Sequence, residues 1–397
     1  MHKTSSIEHQ INSKQLIKKR IRKGQNASQN LHNMSEWKDH KLGEVISLGN
    51  GKERPKEKGA IPVYGGNGIL DFTSQHNYEG ESIIIGRVGA YCGSVFYSNT
   101  PIWVSDNALV AKPKEGHDTK FLYYYLKHIK LNGYAEGSSH PLITQTLLNS
   151  IDITIPKNKS EQQHIASVLT SLDDKIELLH RENTTLEAMT ENLFRKWFIE
   201  EAKEEWEEGT ISDLSDHIKD SINPQKNSNT VFQHYSIPAY DIDKEPTIDT
   251  GESIHSNKYM IPKNCILFSK LNPHKDKRVW LMLDDVSDNA ICSTEFQIVK
   301  PINPEYLFFL YGWLTFKENY EEIASGVGGT SGSHQRIDSK CIFSFRCPLV
   351  DSDTIQNYNS IVGPLFHKQR YNQKQIQTLI RTRDGLLPRI MSNEIKL

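Results

Sequence analysis

The sequence has 397 residues, 37% of them hydrophobic and 24% charged, and a formal net charge of −2. At about 150 residues per domain this length predicts two or three domains, and the composition excludes collagen-like, purely coiled-coil and wholly disordered chains. The longest strongly apolar stretch, residues 306–314, is far shorter than the roughly 20 residues that cross a bilayer, and no signal-like apolar run follows Met1. We therefore expect a soluble, cytoplasmic protein with no membrane partner.

The N-terminal 34 residues differ in charge from the rest of the chain. They contain seven Lys and Arg residues against one acidic residue, Glu8. Two interpretations stay open: an upstream choice of start codon, with the usual start at Met34, or a basic DNA-binding arm. In both interpretations, residues 1–34 form an extension outside the folded domains, and we expect no stable fold there.

Residues 35–157 are predicted to form a first globular domain. Short apolar or β-branched runs at 82–85 and 93–97 alternate with clusters of Gly, Pro and Asn, a pattern that favours a small mixed sheet. A helix is predicted over 120–129. A last β-like run, 151–156, ends in proline directly before a long helical pattern.

Residues 158–199 predict a long helix with one apolar face. Its apolar residues recur in alternating steps of three and four, which is heptad spacing. Ser160 and Gln163 have the spacing of a capping box, and Asn183 and Thr190 are polar positions within the stripe. About 38 helical residues at ~1.5 Å each form a rod of roughly 55 to 60 Å. The predicted packing residues are Leu169, Leu172, Ile176, Leu179, Leu186 and Leu193.

The whole arrangement then recurs. Residues 200–350 predict a second mixed domain, and residues 351–397 predict a second helix with a C-terminal tail. Asp353 and Gln356 take the places of the first capping box at an offset of 193 residues. The predicted packing residues of this helix are Val362, Leu365, Ile376, Leu379 and Leu386, and its polar positions are Gln369, Asn372 and Arg383.

Strings within the two domains also match loosely. Residues 82–87 resemble 265–270, and residues 110–113 resemble 298–301. The predicted fold class is therefore α+β, with two tandem mixed α/β domains separated by two long antiparallel coiled-coil helices in a pseudo-twofold internal repeat. Pairing of the helices within one chain is our main interpretation. Long surface helices of a single fold and a coiled coil between two copies are the alternatives.

The usual catalytic motifs are missing from the sequence. Gly51 and Lys52 are followed by Glu53 and lack the first glycine of a phosphate-binding loop. Residues 303–306 differ from the N-P-P-[YFW] tetrad of adenine methyltransferases because Glu305 replaces the second proline. No H-E-x-x-H or C-x-x-C motif is present, so neither a zinc site nor a disulfide framework is indicated. We expect no catalytic residues, no metal and no cofactor on this chain.

Five features together resemble the DNA specificity subunits of Type I restriction-modification systems. They are the E-W pairs ending at Trp37 and Trp206, the I-I-I-G-R run at 83–87, the helix start P-x-x-x-S-E-Q-Q-x-I-A at 156–166, the helix end L-F-R-K-W-F at 193–198, and the terminal L-L-P-R-I-M-S-N-E-I at 386–395. In the last string Asn393 stands where the family more often has glycine. The resemblance covers nearly all of residues 35–397.

The resemblance implies a non-catalytic subunit. Each domain would be a target recognition domain for one half of a split site in double-stranded DNA, and the helices would act as a spacer that binds two methyltransferase subunits. Motor-nuclease subunits would join through the methyltransferases, and S-adenosylmethionine, ATP and Mg would be bound by these partners. The alternatives are a coiled-coil scaffold that binds only proteins, and a stand-alone DNA-modifying enzyme.

Candidate DNA contacts follow from side-chain chemistry. Flexible glycines permit close approach to phosphates, hydroxyls and cations donate to them, and amides can pair with base edges. In the first domain the candidates are Tyr64, Asn67, Arg87, Ser138, Ser139 and His140. In the second domain they are Lys270, Lys275, Arg278, Thr330, Ser331, Ser333, His334, Gln335 and Arg336. The alternatives are solvent-exposed loops without contacts and, for Arg87 and Lys270, structural ion pairs.

Overall fold

A computed structural model describes residues 36–137, 140–328 and 335–397. The predicted N-terminal extension, residues 1–34, lies outside this part of the chain. No helix in the described part is long and apolar enough to cross a membrane. All five cysteines are free thiols, and four of them are buried.

The chain divides into two units. The first contains the residues up to 179 together with residues 375–397, and the second contains residues 180–374. Each of the two long helices described below contributes residues to both units. The predicted domain limits, which place the whole of each long helix outside the recognition domains, stay a prediction.

The first unit is built on two sheets and one strand pair. In the described residues its strands are β1 (Trp37–Lys41), β2 (Ile46–Asn50), β3 (Ile61–Gly65), β4 (Gly68–Thr73), β5 (Ser82–Gly86), β6 (Val95–Ser98), β7 (Trp103–Val104), β8 (Ala108–Pro113) and β9 (Asp152–Pro156). One sheet has the strand order β2-β8-β5-β6, the other has the order β4-β3-β7, and β1 pairs with β9. Its helices are α1 (Leu42–Val45), α2 (Thr119–His128), α3 (Gln145–Ser150) and the first part of α4 (Lys159–Arg195).

Strand β5 shows why the apolar run at its centre forms a strand with two buried faces. Ile83 and Ile85 pack in a core with helix α2, whereas Ile84 packs in a second core with Ile102 and Val104. Side chains alternate between the faces of a strand, so a continuous apolar run suits a strand covered on both sides. All three isoleucines are fully buried.

The second unit repeats this plan with additions. Its described strands are β10 (Glu207–Thr210), β11 (Ser215–Ile218), β12 (Ser221–Ile222), β13 (Val231–Tyr235), β14 (Thr247–Thr250), β15 (Lys258–Met260), β16 (Cys265–Ser269), β17 (Val279–Met282), β18 (Ala290–Ser293), β19 (Phe296–Pro301), β20 (Val327–Gly328), β21 (Arg336–Ile337) and β22 (Arg346–Leu349). Its described helices are α5 (Ile211–Leu214), α6 (Ile237–Asp243), α7 (Leu307–Thr315), α8 (Lys317–Ser325), α9 (Ser339–Phe343) and most of α10 (Ser352–Met391).

The main sheets of the two units share one topology. The order β11-β19-β16-β17 corresponds to β2-β8-β5-β6, and β10 pairs with β22 as β1 pairs with β9. Strand β13 pairs antiparallel with β14 and parallel with β18, as β3 does with β4 and β7. The second unit extends this sheet by β15 and β12. The shared order agrees with the predicted internal repeat.

The residues that cap the two long helices lie two positions before the predicted caps. Asn158 Oδ1 accepts the Ser160 N–H at 2.9 Å, and Asp351 Oδ1 accepts the Thr354 N–H at 2.9 Å. These residues satisfy free backbone donors at the first turn, so the predicted roles of Ser160 and Asp353 as caps are wrong. The offset of 193 residues nevertheless holds for the observed caps.

Helices α4 and α10 pack antiparallel. In the first unit Ile176 and Leu179 contact Ile376 and Leu379, and Arg383 pairs with Asp173 at 2.7 Å. The predicted packing residues that are buried are Leu169, Ile176, Leu179, Leu186, Val362 and Ile376, and the half-buried ones are Leu172, Leu193, Leu365, Leu379 and Leu386. Towards the ends the stripe joins the globular cores: Leu169 packs in a core of the first unit and Val362 in a core of the second.

A polar layer interrupts the apolar stripe in the second unit. Asn372 is fully buried and donates to Asn183 Oδ1 at 2.9 Å and to Glu182 Oε2 at 3.0 Å. Lys368 pairs with Glu182 at 3.3 Å. A buried Asn in a helix pair lowers stability but favours one register, so this layer explains why the stripe is polar at Asn183 and Asn372.

Candidate nucleic-acid interface

The first unit brings its candidates together beside the end of β5. Arg87 follows β5 directly, and its carbonyl accepts the Ile143 N–H at 2.8 Å, while Val88 forms a bridge with Leu142. The Gly89 N–H also donates to the Pro141 carbonyl at 3.1 Å, so the exposed His140 lies one residue before the segment that pairs with residues 87–89. Arg87 is half-buried, and its Nε atom has no hydrogen-bond partner among the described residues. That Nε atom is buried, so any contact of Arg87 with phosphate would be made through the outer part of its guanidinium.

The turn between β3 and β4 reaches the same place. Gly66 and Asn67 form a two-residue connection, and Gly68 has a φ of +84°, which glycine adopts at low cost. A Cβ atom at Gly66 would lie 3.8 Å from the Gly86 Cα. The turn therefore lies against the end of β5, with the exposed Asn67 side chain at its tip.

Tyr64 supports this turn from within. Its ring lies 6.3 Å from that of Phe96, and its carbonyl accepts the Ser105 N–H at 2.8 Å. The side chain is half-buried, and burial raises the pKa of the Tyr64 phenol. Tyr64 is thus partly a packing residue, whereas Asn67 is available to a ligand.

The second unit forms the equivalent arrangement. Lys270 follows β16 as Arg87 follows β5, and its carbonyl accepts the Ile337 N–H at 2.9 Å. Leu271 bridges Arg336, and the Gln335 carbonyl accepts the Asn272 N–H at 2.8 Å. Three candidates distant in sequence, Lys270, Gln335 and Arg336, therefore become neighbours.

Arg336 is already paired in the structure. Its Nε donates to Glu295 Oε2 at 3.0 Å and its Nη2 to Glu295 Oε1 at 2.9 Å. The Arg336 side chain is 49% exposed and that of Glu295 is 25% exposed. The carboxylate raises the pKa of Arg336, so the guanidinium stays charged.

Arg278, one of the expected DNA contacts, is paired with two carboxylates. The residue is buried, with Nε and Nη2 held by Asp241 at 2.6 and 2.9 Å and Nη2 also held by Asp276 at 2.6 Å. These carboxylates raise its pKa and take the donors of Nε and Nη2, so Arg278 stabilises the loop, and its expected contact with DNA stays a prediction. Lys275, three residues earlier, is exposed and stays a candidate.

The remaining candidates belong to two loops that lie outside the described residues. They are Ser138, Ser139, Thr330, Ser331, Ser333 and His334. Their expected DNA contacts stay a prediction. Within the described part of the chain, no three His, Cys, Asp or Glu side chains are placed to hold a metal ion.

Sequence reasoning missed two residues of these clusters. The Asn107 carbonyl accepts the Arg87 N–H at 3.1 Å, and the Glu295 carbonyl accepts the Lys270 N–H at 2.9 Å. Each residue directly precedes a strand, β8 or β19, that the repeated strings had marked. Glu295 was not predicted because DNA contacts are mainly made by hydrogen-bond donors. Its position directly before a strand that matched between the two units could have indicated it.

Comparison with known proteins relates the sequence of this chain to one family. Residues 34–188 match the family model described as the Type I restriction modification DNA specificity domain. The specificity subunit of the Type I restriction enzyme MjaIX from Methanocaldococcus jannaschii is 26% identical over 342 residues, which is 77% of this chain and 76% of that protein. The specificity subunit of the Type I restriction enzyme EcoprrI from Escherichia coli is 30% identical over 133 residues, 34% of this chain and 33% of that protein.

A solved structure extends the similarity to the fold. The S subunit of a Type-I restriction-modification system from M. genitalium has a TM-score of 0.64 and 19% identity, covering 89% of this chain and 95% of the other. The expected fold class, with two mixed α/β domains and long paired helices, is thereby confirmed. The chain is thus similar in sequence, and over most of its length in fold, to DNA specificity subunits of Type I restriction-modification systems.

Proposed function

We propose that each unit of this specificity subunit contacts one half of a bipartite site in double-stranded DNA. The observation that carries the proposal is the matched clusters at equivalent strand ends. Arg87 beside residues 142–143 corresponds to Lys270 beside residues 336–337, through equivalent backbone hydrogen bonds and bridges. Two similar clusters on one chain suit two half-sites, as two-fold readers of DNA use two half-sites.

The side chains divide into two kinds of contact. Arg87, Lys270 and Lys275 have the charge to position the DNA through phosphates. Asn67 and Gln335 carry amides that can pair with adenine in the major groove, and the His140 side chain is exposed. The loops that contain Ser138 and Ser139, and Thr330 to His334, would add hydroxyl and imidazole contacts.

Partner subunits would supply the chemistry. In this proposal the α4 and α10 helices bind two methyltransferase subunits, through which motor-nuclease subunits join the complex. S-adenosylmethionine, ATP and Mg would be bound by those partners, and this chain would hold no cofactor. The net charge of −2 gives the chain little long-range attraction to DNA, which fits a subunit whose partners enclose the duplex.

The test uses the full chain co-expressed with its cognate methyltransferase subunit. Adenine methylation mapped across host DNA should reveal one motif made of two half-sites separated by unspecified bases. The variant with both Arg87→Ala and Lys270→Ala should bind DNA about tenfold or more weakly, because two phosphate contacts are lost. The slope of log affinity against log salt concentration should become shallower by roughly two.

A matched control removes two exposed cations outside the clusters, one directly after β9 in the first unit and one at the start of β22 in the second. Lys157 pairs with Glu36 at 3.2 Å and Arg346 pairs with Glu208 at 2.8 Å, and both side chains are exposed. The double variant Lys157→Ala and Arg346→Ala should bind DNA like the wild type. A complex that forms but methylates no bipartite motif would overturn the proposal. Failure to form any complex would favour a scaffold or a lone enzyme.

A further inference from the structure

The Arg336–Glu295 pair leaves one edge of the guanidinium without a hydrogen-bond partner among the described residues. An Arg side chain has five N–H donors in a planar fork. The Glu295 carboxylate takes the side of the fork, through Nε and Nη2. The end of the fork, formed by Nη1 and the second N–H of Nη2, remains directed away from the carboxylate. Two parallel donors at this spacing match the O6 and N7 acceptors of guanine.

The backbone holds both partners firmly. Arg336 lies in β21, paired with Gly328 of β20, and also bridges Leu271. The next residue, Ile337, is buried and anchors the strand to Lys270. On the other side the Glu295 carbonyl accepts the Lys270 N–H at 2.9 Å. Because the two residues are fixed through a common neighbour, the side chain pays little ordering entropy on binding.

Charge favours a base over a phosphate. The pair is close to neutral as a whole, and a phosphate beside Arg336 would also lie near the Glu295 carboxylate, which repels it. The acceptors of guanine carry no formal charge and avoid this repulsion. Lys270, the adjacent cation, has no shared carboxylate of this kind in the described residues and suits the phosphate role.

The first unit lacks this pair. Hydrogen bonds match Asn107 to Glu295, and the bridges match Leu142 to Arg336. Leu142 has no donor, and Asn107 has no charge. The same positions of the fold therefore carry a carboxylate-oriented guanidinium in the second unit, and no such pair in the first.

We propose that Arg336 recognises a guanine in the half-site bound by the second unit, and that Glu295 is a positioning residue that orients its guanidinium. The proposal rests on the function proposed above. It names one base class at one half-site, which the bipartite motif alone does not specify.

The test compares methylation by complexes that contain wild type, Arg336→Lys, Arg336→Ala or Glu295→Gln. The wild-type motif should contain a guanine in one half-site. Arg336→Lys keeps the charge but loses the fork, so discrimination for that guanine should fall about 10- to 100-fold, while every other position of the motif is unchanged. Arg336→Ala should relax the same position.

Glu295→Gln separates orientation from packing. The variant keeps the size of the side chain and removes its charge. Discrimination at the same guanine should fall by a smaller factor, and overall DNA affinity at low salt should rise, because the charge of Arg336 is no longer balanced. A purely structural role for the pair would leave discrimination at this guanine unchanged, even if the lost charge raised overall affinity.

The control is Arg346→Ala, which breaks the exposed pair with Glu208 in the same unit. Complex assembly and thermal midpoint are measured for every variant, so that misfolding is recognised. The proposal fails if Arg336→Lys keeps the wild-type motif, if Arg336→Ala weakens all sequences equally with a lower salt slope, or if neither half-site contains guanine. A wild-type complex without any bipartite motif would instead overturn the proposed function.

Discussion

The two units place different side chains on one scaffold. Both have the same order of four strands in the main sheet, and in both a cation directly after the second of these strands in sequence lies beside a short returning segment. In the first unit β3 and β4 are joined by two residues, whereas helix α6 joins β13 and β14 in the second. Leu142 and Asn107 become Arg336 and Glu295. The sheets thus fix where the contacting residues lie, and the side chains at the strand ends determine which DNA groups each unit can bind.

The largest effect is expected in the shared sheet. Ile84 and Leu267 are equivalent, fully buried residues at the centres of β5 and β16. Substitution of either by Ala should lower the free energy of unfolding of its own unit by about 2–5 kcal/mol, because it leaves a cavity. Hydrogen exchange resolved by unit measures this. Ile69→Ala, at a half-exposed position of β4, should cost less than about 0.5 kcal/mol; similar losses from both sites would contradict the shared core.

The next effect separates two arginines of the second unit. Arg278 is buried between two partly exposed carboxylates, so Arg278→Ala should lower stability by about 1–3 kcal/mol. The exposed Arg336 pair should contribute less than about 1 kcal/mol. Denaturant unfolding of the two variants gives both values. A larger loss from Arg336→Ala would mean that its pair is mainly structural.

In the polar layer of the helix pair, a single and a double substitution are expected to change stability in opposite directions. Asn372→Ala should cost about 1–3 kcal/mol, because partners of a buried amide lose their hydrogen bonds. Replacing both Asn372 and Asn183 by Leu should be close to neutral or stabilising. Thermal unfolding of the single and double variants measures this. If the double variant were the less stable of the two, the layer would be a net source of stability.

The smallest effect is a pH dependence in the second unit. Burial lowers the pKa of His234, although Asp249 accepts from its Nδ1 at 2.9 Å. The unfolded chain therefore takes up the proton first, near pH 6.5, and stability should fall as the pH drops below that value. His234→Asn should flatten the change in thermal midpoint between pH 7.5 and 5.5. A wild type that gains stability on acidification would contradict the neutral ring.

Local patterns predicted the scaffold well. The apolar runs at 82–85 and 265–268 became β5 and β16, and the pattern at 120–129 became α2 with a shift of one residue. Such patterns suffice because a buried strand or an amphipathic helix is specified by neighbouring residues. The capping boxes were wrong because Asn158 and Asp351, just upstream, offered competing side-chain acceptors.

The site was harder to predict, because its chemistry depends on distant partners. Arg278 and Arg336 look alike in the sequence, yet the first is buried by Asp241, 37 residues away, and the second is paired with Glu295, 41 residues away. Charge and loop composition were therefore enough to predict Lys270, Gln335 and Arg336 as candidates. They did not predict which side-chain donors form hydrogen bonds within the protein.

The most direct test of two units with two half-sites is a reciprocal pair of amide variants. Asn67 is exposed at the β3–β4 turn, and Gln335 lies beside Lys270 in the second unit. Methylation motifs are mapped for complexes that contain Asn67→Ala or Gln335→Ala. We expect each variant to relax one position in one half-site only, and the two variants to affect opposite halves. Relaxation of the same half by both, or of both halves by either, would contradict the account.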